Sequence, residues 1–422
     1  MITLSWIALA LTGCGDERVC GMEMELYEPI ADECLGTCGK VTGPRNTDFV
    51  ISSEALGPMS KGRTDGSGEA EFCLERLYPP GEYDLYTAAP DATCDEPSTT
   101  LEIRPFGWAW GLDKPIEALT EVPWVPEVTG LDDDPVLAPD PESWDSMVVS
   151  MPSVTDYQGR KLLYYSGRNR AEFYGLGVAE EQPDGSFQRL TDYSLFHTDE
   201  IGSAEGDWNY FSQNTPEIVN RDDEELWLYY NGDVLNNRLS IGAATSTDPV
   251  NFEQHESNPL FSIQDIVRAE ERGNSVAHAS IVQRDGVYEM WFATGTLWLG
   301  YALSTDGVEW TPYCELPIFE GLGTWDLGLV KAPEVIYEDG LYWMTFSGCD
   351  KGCYQVGWAV SADGIRWATH PDPIIPASGD GSWNSVATQG AEIEVDGDTW
   401  RFWYAGSDGE TTSVGVVEAE RP

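Results

Sequence analysis

Trp144-Asp145, Trp208-Asn209, Trp325-Asp326 and Trp383-Asn384 stand at one recurrent spacing, and Glu271-Arg272 takes the same place once. Eight residues after the first member of each pair comes a proline or small residue: Pro152, Pro216, Ala279, Pro333 and Ala391. Just ahead of these markers lie Asn214, His278, Lys331 and Gln389. Carboxylates such as Asp145, Glu271 and Asp326 can move protons at a reacting centre. The amides, imidazole, ammonium and guanidinium of Asn214, Gln389, His278, Lys331 and Arg272 can hold a polar ligand. A plainer reading competes at each position. A repeated Trp-Asp or Trp-Asn also serves as a packing device, with Asp capping a turn, and His278 also fits a hydrogen-bonded core. Glu271 interrupts the repeat, as functional residues do. Glu217 and Glu334 directly follow a marker, and their recurrence reads as structural. Simple strand alternation puts them on one face with the residues that precede the markers.

The elements that must position these residues are strands. Five segments share a turn, an aromatic strand and a small pair: YQGRKLLYYSG, RDDEELWLYYNG, RDGVYEMWFATG, EDGLYWMTFSG and VDGDTWRFWYAG. Each is followed by a strand with a central glycine, and several then carry an Asp-Gly turn and an aromatic, as in Asp306-Gly307 with Trp310. A strand carrying the marker precedes each aromatic one. Repetition of a four-strand unit at a fixed spacing predicts radial packing of sheets, an all-β five-bladed β-propeller over 122–422. The fifth unit stops after its third strand. Trp124 followed by Pro135-Val136-Leu137 mirrors Trp310 followed by Pro317-Ile318-Phe319, so residues near 122–128 are expected to complete the last blade and cover its edge.

The Asp-Gly-x-Tyr and Gly-x-Ala-x-Ser-x-Asp-Gly-x-x-Trp patterns of these blades resemble the arabinanase, levansucrase and invertase superfamily, which includes glycoside hydrolase families 43, 32, 68 and 130. The resemblance implies a carbohydrate ligand held in a central funnel and, if the chain is catalytic, two carboxylates across it. It places acid and base one or two residues before the markers. Those positions hold Met151, Thr215, His278, Ala332 and Gly390, and Ser150, Asn214, Ala277, Lys331 and Gln389, none acidic. Asp145, Glu271 and Asp326 are the catalytic candidates that remain. A non-catalytic propeller that recognises a glycan or protein, and a structural cell-surface module, stand as alternatives.

Ahead of the propeller the sequence predicts a signal over 1–13, a small disulfide-containing β-sandwich over 14–104 and a linker over 105–121. The run Leu11-Thr12-Gly13-Cys14 resembles a bacterial lipobox, which implies diacylation of Cys14 and anchoring in the cell envelope, at the outer membrane of a Gram-negative cell. The usual basic residue near the start is absent. Thr64, Asp65, Gly68, Pro80, Gly81 and Tyr83 resemble the turns of carboxypeptidase-regulatory-like sandwiches. Nine cysteines fit an oxidising compartment. Cys349 and Cys353 flank a short turn and can pair, and the odd counts early and late leave a bridge between the two regions open. With 73 acidic residues against 23 basic ones and a formal net charge of -50, nucleic acid and anionic membrane surfaces are excluded as partners. The acidity reads either as a solvated surface or as carboxylates for Ca²⁺, although no EF-hand-like run occurs. No motif requires a cofactor, and a monomer is expected.

Overall fold

The computed structural model describes residues 22–421 except 28–29, 33–36, 75–79, 89, 91–95, 105, 113, 116, 171–173, 197–207, 222, 234–237, 267–274, 296–297, 315–316, 322, 324 and 351–352. The signal, Cys14, Glu271 and Arg272 lie outside the described residues. The chain divides into two compact units, 1–109 and 110–422.

In the first unit two sheets enclose one core. One sheet pairs Glu23–Leu26, Cys38–Thr42 and Glu69–Cys73. The other runs Ile30–Asp32, Thr99–Arg104, Gly81–Ala88, Asp48–Ser53 and Gly57–Arg63. Strand alternation delivers Val41, Phe49, Ile51, Phe72, Leu85 and Leu101 to the space between them. A disulfide joins Cys38 to Cys73.

The second unit is the propeller. Its blades span 148–189, 212–254, 276–312, 329–369 and 387–420. The first strands are Val148–Tyr157, Ser212–Arg221, Val276–Arg284, Leu329–Glu338 and Ala387–Asp396. Each contacts the next, and the fifth contacts the first, so the ring closes around a channel. Within a blade the strands pair antiparallel in chain order.

The repeated Trp has a packing role. Trp144, Trp208, Trp325 and Trp383 each lie against two glycines on the second and third strands of their blade: Gly167 and Gly175, Gly232 and Gly242, Gly348 and Gly357, Gly406 and Gly415. A Cβ on Gly232 would sit 2.4 Å from the Trp208 ring. The small pair and the central glycine of the repeat thus make room for the indole.

The fifth blade is completed from upstream, but further along than 122–128. Thr129 bridges Glu418, and Leu137 bridges Val414. Phe261, Phe319 and Ile375 bridge Ile241, Leu299 and Val356 in the same way, so the Pro-x-apolar segments are equivalent. Trp124 packs edge-on against Trp343, Trp358 and Trp400. The expected linker is likewise part of the ring at its C-terminal end. The Lys114 ammonium is fully buried, donating to Glu289 Oε1 (2.6 Å), the Tyr301 hydroxyl (2.7 Å) and the Asp363 carbonyl (2.7 Å). Cys349 and Cys353 are thiols and do not form the expected bridge, and Cys314 is disulfide-bonded.

Candidate functional site

Every first strand carries a bulge at the same place. Two residues, the one before the marker and the marker itself, oppose a single residue of the second strand in all five blades. The leading residue of each bulge is left-handed: Met151 (φ 49°), Thr215 (50°), His278 (55°), Ala332 (48°) and Gly390 (56°). Four of these five carry a Cβ, for which this conformation costs about 1 kcal/mol or more. Neighbouring blades hold it in place. The Thr215 amide donates to Ser166 Oγ (2.7 Å), the His278 amide to Asn231 Oδ1 (2.9 Å) and the Gly390 amide to Ser347 Oγ (2.8 Å). The first member of the small pair therefore supports the next blade's bulge.

The bulge breaks the simple alternation expected from the sequence. On one side of it lie Asn214, Lys331 and Gln389, with His278 in the bulge itself. These come from four blades. His278 is half-buried beside Lys331, and desolvation first, then that ammonium, lowers its imidazole to about 3. Burial lowers Lys331 to about 8, and its ammonium lies 4.0 Å from the centre of the Tyr354 ring. Asn214 donates to Ser212 Oγ (3.2 Å), but its Oδ1 and the Gln389 Oε1 are buried without a hydrogen-bond partner among the described residues. Buried acceptors left open in this way need an occupant.

On the other side, the residues following the markers are Ser153, Glu217, Ser280, Glu334 and Glu392. The carboxylates of Glu217, Glu334 and Glu392 offer oxygens within 4.8 Å of one another. They line a cavity of about 250 Å³ with Ser280, Ile281 and Val335. Glu217 Oε1 accepts from the Ile281 amide (2.7 Å), and the Ser153 hydroxyl stands 3.5 Å from its Oε2. Burial pushes Glu217 up to about 8 despite these bonds. Burial and the neighbouring carboxylates push Glu334 and Glu392 well above the usual range. Sequence reading treated Glu217 and Glu334 as structural and passed over Glu392. Aligning the five residues that follow the markers exposes the triad without a structure.

Asp145 and Asp326 do not join this site. Asp145 is fully buried inside blade 1, where it accepts from the Tyr165 hydroxyl (2.9 Å) and Arg189 Nε (2.8 Å). Asp326 packs against Gly348 and accepts from the Gly323 amide (2.7 Å). Asn209 and Asn384 make the corresponding bonds to Tyr230 and Tyr404. In blades 1, 2 and 5 the residue after the repeated Trp pins the strands of its own blade; Asp326 has no such hydroxyl partner among the described residues, and neither aspartate lies in the glutamate cluster.

These features define a β-propeller, and solved structures share its fold. The fold is similar to that of a glycosyl hydrolase from Bacteroides ovatus, at TM-score 0.57 and 18% identity, covering 70% of this chain and 93% of that one. It is also similar to a structure described for the GH130 family of mannoside phosphorylases, which contains glycoside hydrolases that target β-1,2 mannosidic linkages (TM-score 0.57, 18% identity, 72% and 99% covered). A thermostable family-43 glycoside hydrolase matches at TM-score 0.50 and 17% identity over 64% and 88%. At these identities the likeness is one of fold. An uncharacterized protein of Mycobacterium tuberculosis is 29% identical over 243 residues, 54% of this chain and 76% of its own. No family model matches the chain.

Proposed function

We propose that the propeller recognises a carbohydrate at the mouth of its channel without cleaving it. The observation that carries this reading is the shared place of Asn214, Lys331 and Gln389 on the first strands of their blades, with His278 beside Lys331 and the Asn214 and Gln389 side-chain oxygens without a partner among the described residues. Hydroxyl-rich ligands donate to such oxygens, and a neutral imidazole takes part as donor or acceptor. The glycoside hydrolase fold of the neighbours supports the choice of ligand.

The absence of carboxylates before the markers argues against hydrolysis. A retaining glycosidase needs two carboxyl groups about 5–5.5 Å apart, and an inverting one about 6.5–9.5 Å, on opposite sides of a sugar. The triad instead converges on one point, with three carboxyl oxygens within 4.8 Å. A second reading, hydrolysis through this triad, is favoured by the raised proton affinities of its closely set carboxyl groups. A glycan array and a panel of aryl glycosides separate the two. Binding without turnover, weakened at least tenfold by Asn214→Ala or Gln389→Ala, supports recognition. Turnover abolished by Glu334→Gln sinks it and supports hydrolysis.

The triad with Ser153 and Ser280 presents only oxygen donors, the chemistry of a Ca²⁺ site. We assign Ca²⁺ to this ring as a ligand that competes with protons. Export and anchoring through Cys14, as a monomer at the outer membrane of a Gram-negative cell, complete the proposal. Metabolic labelling with palmitate, lost in Cys14→Ser, tests the anchor.

A further inference from the structure

A second cavity, of about 630 Å³, opens away from the channel at the rim of blade 4. Its walls include Glu320, Trp325, Asp326, Trp367, His370 and Asp372, and no lysine or arginine lines it among the described residues. Comparison with the other blades shows why it exists. In blade 1, Arg189 pairs with Ala179 across the outermost ladder and extends back to the buried Asp145. Its guanidinium also donates to the Ala138 carbonyl (2.7 Å) and lies 6.0 Å from the centre of the Tyr165 ring. In blade 2, Gln254 pairs with Ala244 at the same register and reaches Asn209 (3.0 Å) and Tyr230 (3.1 Å).

Blade 4 has lost both partners of this arrangement. Thr369 pairs with Ala359 at the register of Arg189 and is too short to reach inward. Phe346 replaces the tyrosine whose hydroxyl met the carboxylate. Asp326, 6% exposed, keeps only backbone donation from Gly323 among the described residues. Burial raises its carboxyl above the ordinary range. Glu320 follows Phe319 as Ala138 follows Leu137, so the carbonyl that met the guanidinium has its counterpart here. The indole Nε1 of Trp367 is buried with no acceptor among the described residues.

We propose that this pocket binds a small organic cation, whose ammonium or guanidinium takes the place that Arg189 fills in blade 1. Carboxylates at Glu320, Asp326 and Asp372 supply the charge, and Trp325 and Trp367 supply ring surface. An amino sugar combines that ammonium with hydroxyl groups that His370 and Asp372 of the same wall can meet.

Calorimetric titration of the whole protein with glucosamine, agmatine and glucose tests the assignment. Glucosamine and agmatine are expected to bind in at least tenfold preference to glucose. Tighter glucosamine binding assigns the cation to an amino sugar, and equal binding assigns it to a free amine. Thr369→Arg should close the pocket from within, lowering affinity at least tenfold while thermal stability is kept or raised. Asp326→Asn should lower affinity similarly. Failure of both cations to bind, glucose binding as well as glucosamine, or undiminished binding in a folded Thr369→Arg variant overturns the proposal. None of these outcomes depends on Asn214 or Gln389, so this site and the channel mouth fail independently.

Discussion

A carboxyl group buried among other carboxyl groups ties stability to pH in a direction opposite to that of most surface acids. Glu217 is raised to about 8 in the fold, against about 4.3 for a free glutamate. The folded state therefore holds a proton that the unfolded state releases. The stability this contributes is complete below the unfolded value and is lost as pH rises through the folded one. Glu217→Gln keeps the amide bond from Ile281 and removes the titration. Thermal melts from pH 4.5 to 8 should show a flatter profile for the variant, more stable than the parent by roughly 1–3 kcal/mol at pH 8. Ca²⁺ should raise the melting temperature of the parent at pH 8, and Glu334→Gln should remove that rise. His278 behaves in the opposite sense. Its folded value of about 3 lies below that of free histidine, so its contribution is present above about 6.5 and is lost as pH falls toward 3. Ring NMR signals of His278 should not titrate between pH 8 and 4.

At the scale of the strand, the bulge is the device that separates the channel mouth from the triad. The sequence announces it in one blade, through Gly390, because only glycine adopts a left-handed conformation without penalty. Met151, Thr215, His278 and Ala332 give no such signal, and tertiary contacts hold them there. The blades themselves were legible, because aromatic strands, glycine pairs and Trp spacings are local patterns. Asp145 reads as a catalytic candidate because a buried carboxylate that pins a blade and one that serves a ligand have the same local sequence. Ala332→Gly relieves left-handed strain and should leave stability unchanged or raise it by up to about 1 kcal/mol in denaturant titrations. Gly232→Ala has no room beneath Trp208 and Asn209, and should cost about 1–3 kcal/mol or more.

At the scale of the molecule, residues 114–137 run along three blades. Lys114 is buried with Glu289 of blade 3 and the Asp363 carbonyl of blade 4, and Leu137 completes blade 5. Glu289 also accepts from the Tyr342 hydroxyl (2.7 Å), and Lys114 with those hydroxyl donors holds its carboxyl below the usual range against the opposing effect of burial. Lys114→Ala leaves that buried carboxylate with only the longer ion pair to Arg284 Nε (3.5 Å), a loss of about 3 kcal/mol. A lowered urea midpoint with unchanged slope is the expected result, and no change would mean that the strap is not anchored there. The sequence pattern points to the closing segment, but not to the buried Lys114, because 105–121 reads as a linker and the partners of Lys114 lie far along the chain.

The pairing of Leu137 with Val414 also sets an order of events during synthesis. The strap leaves the ribosome first, and the strand it must pair with comes near the end of the chain. At about 5–20 residues per second the interval is on the order of tens of seconds. Throughout it, Pro135-Val136-Leu137 and the growing arc of blades lack their final partner, with an open edge at each side. The nascent protein is therefore most exposed to mispairing just before the strand around Val414 is made, and that strand acts as the clasp that ends the exposure.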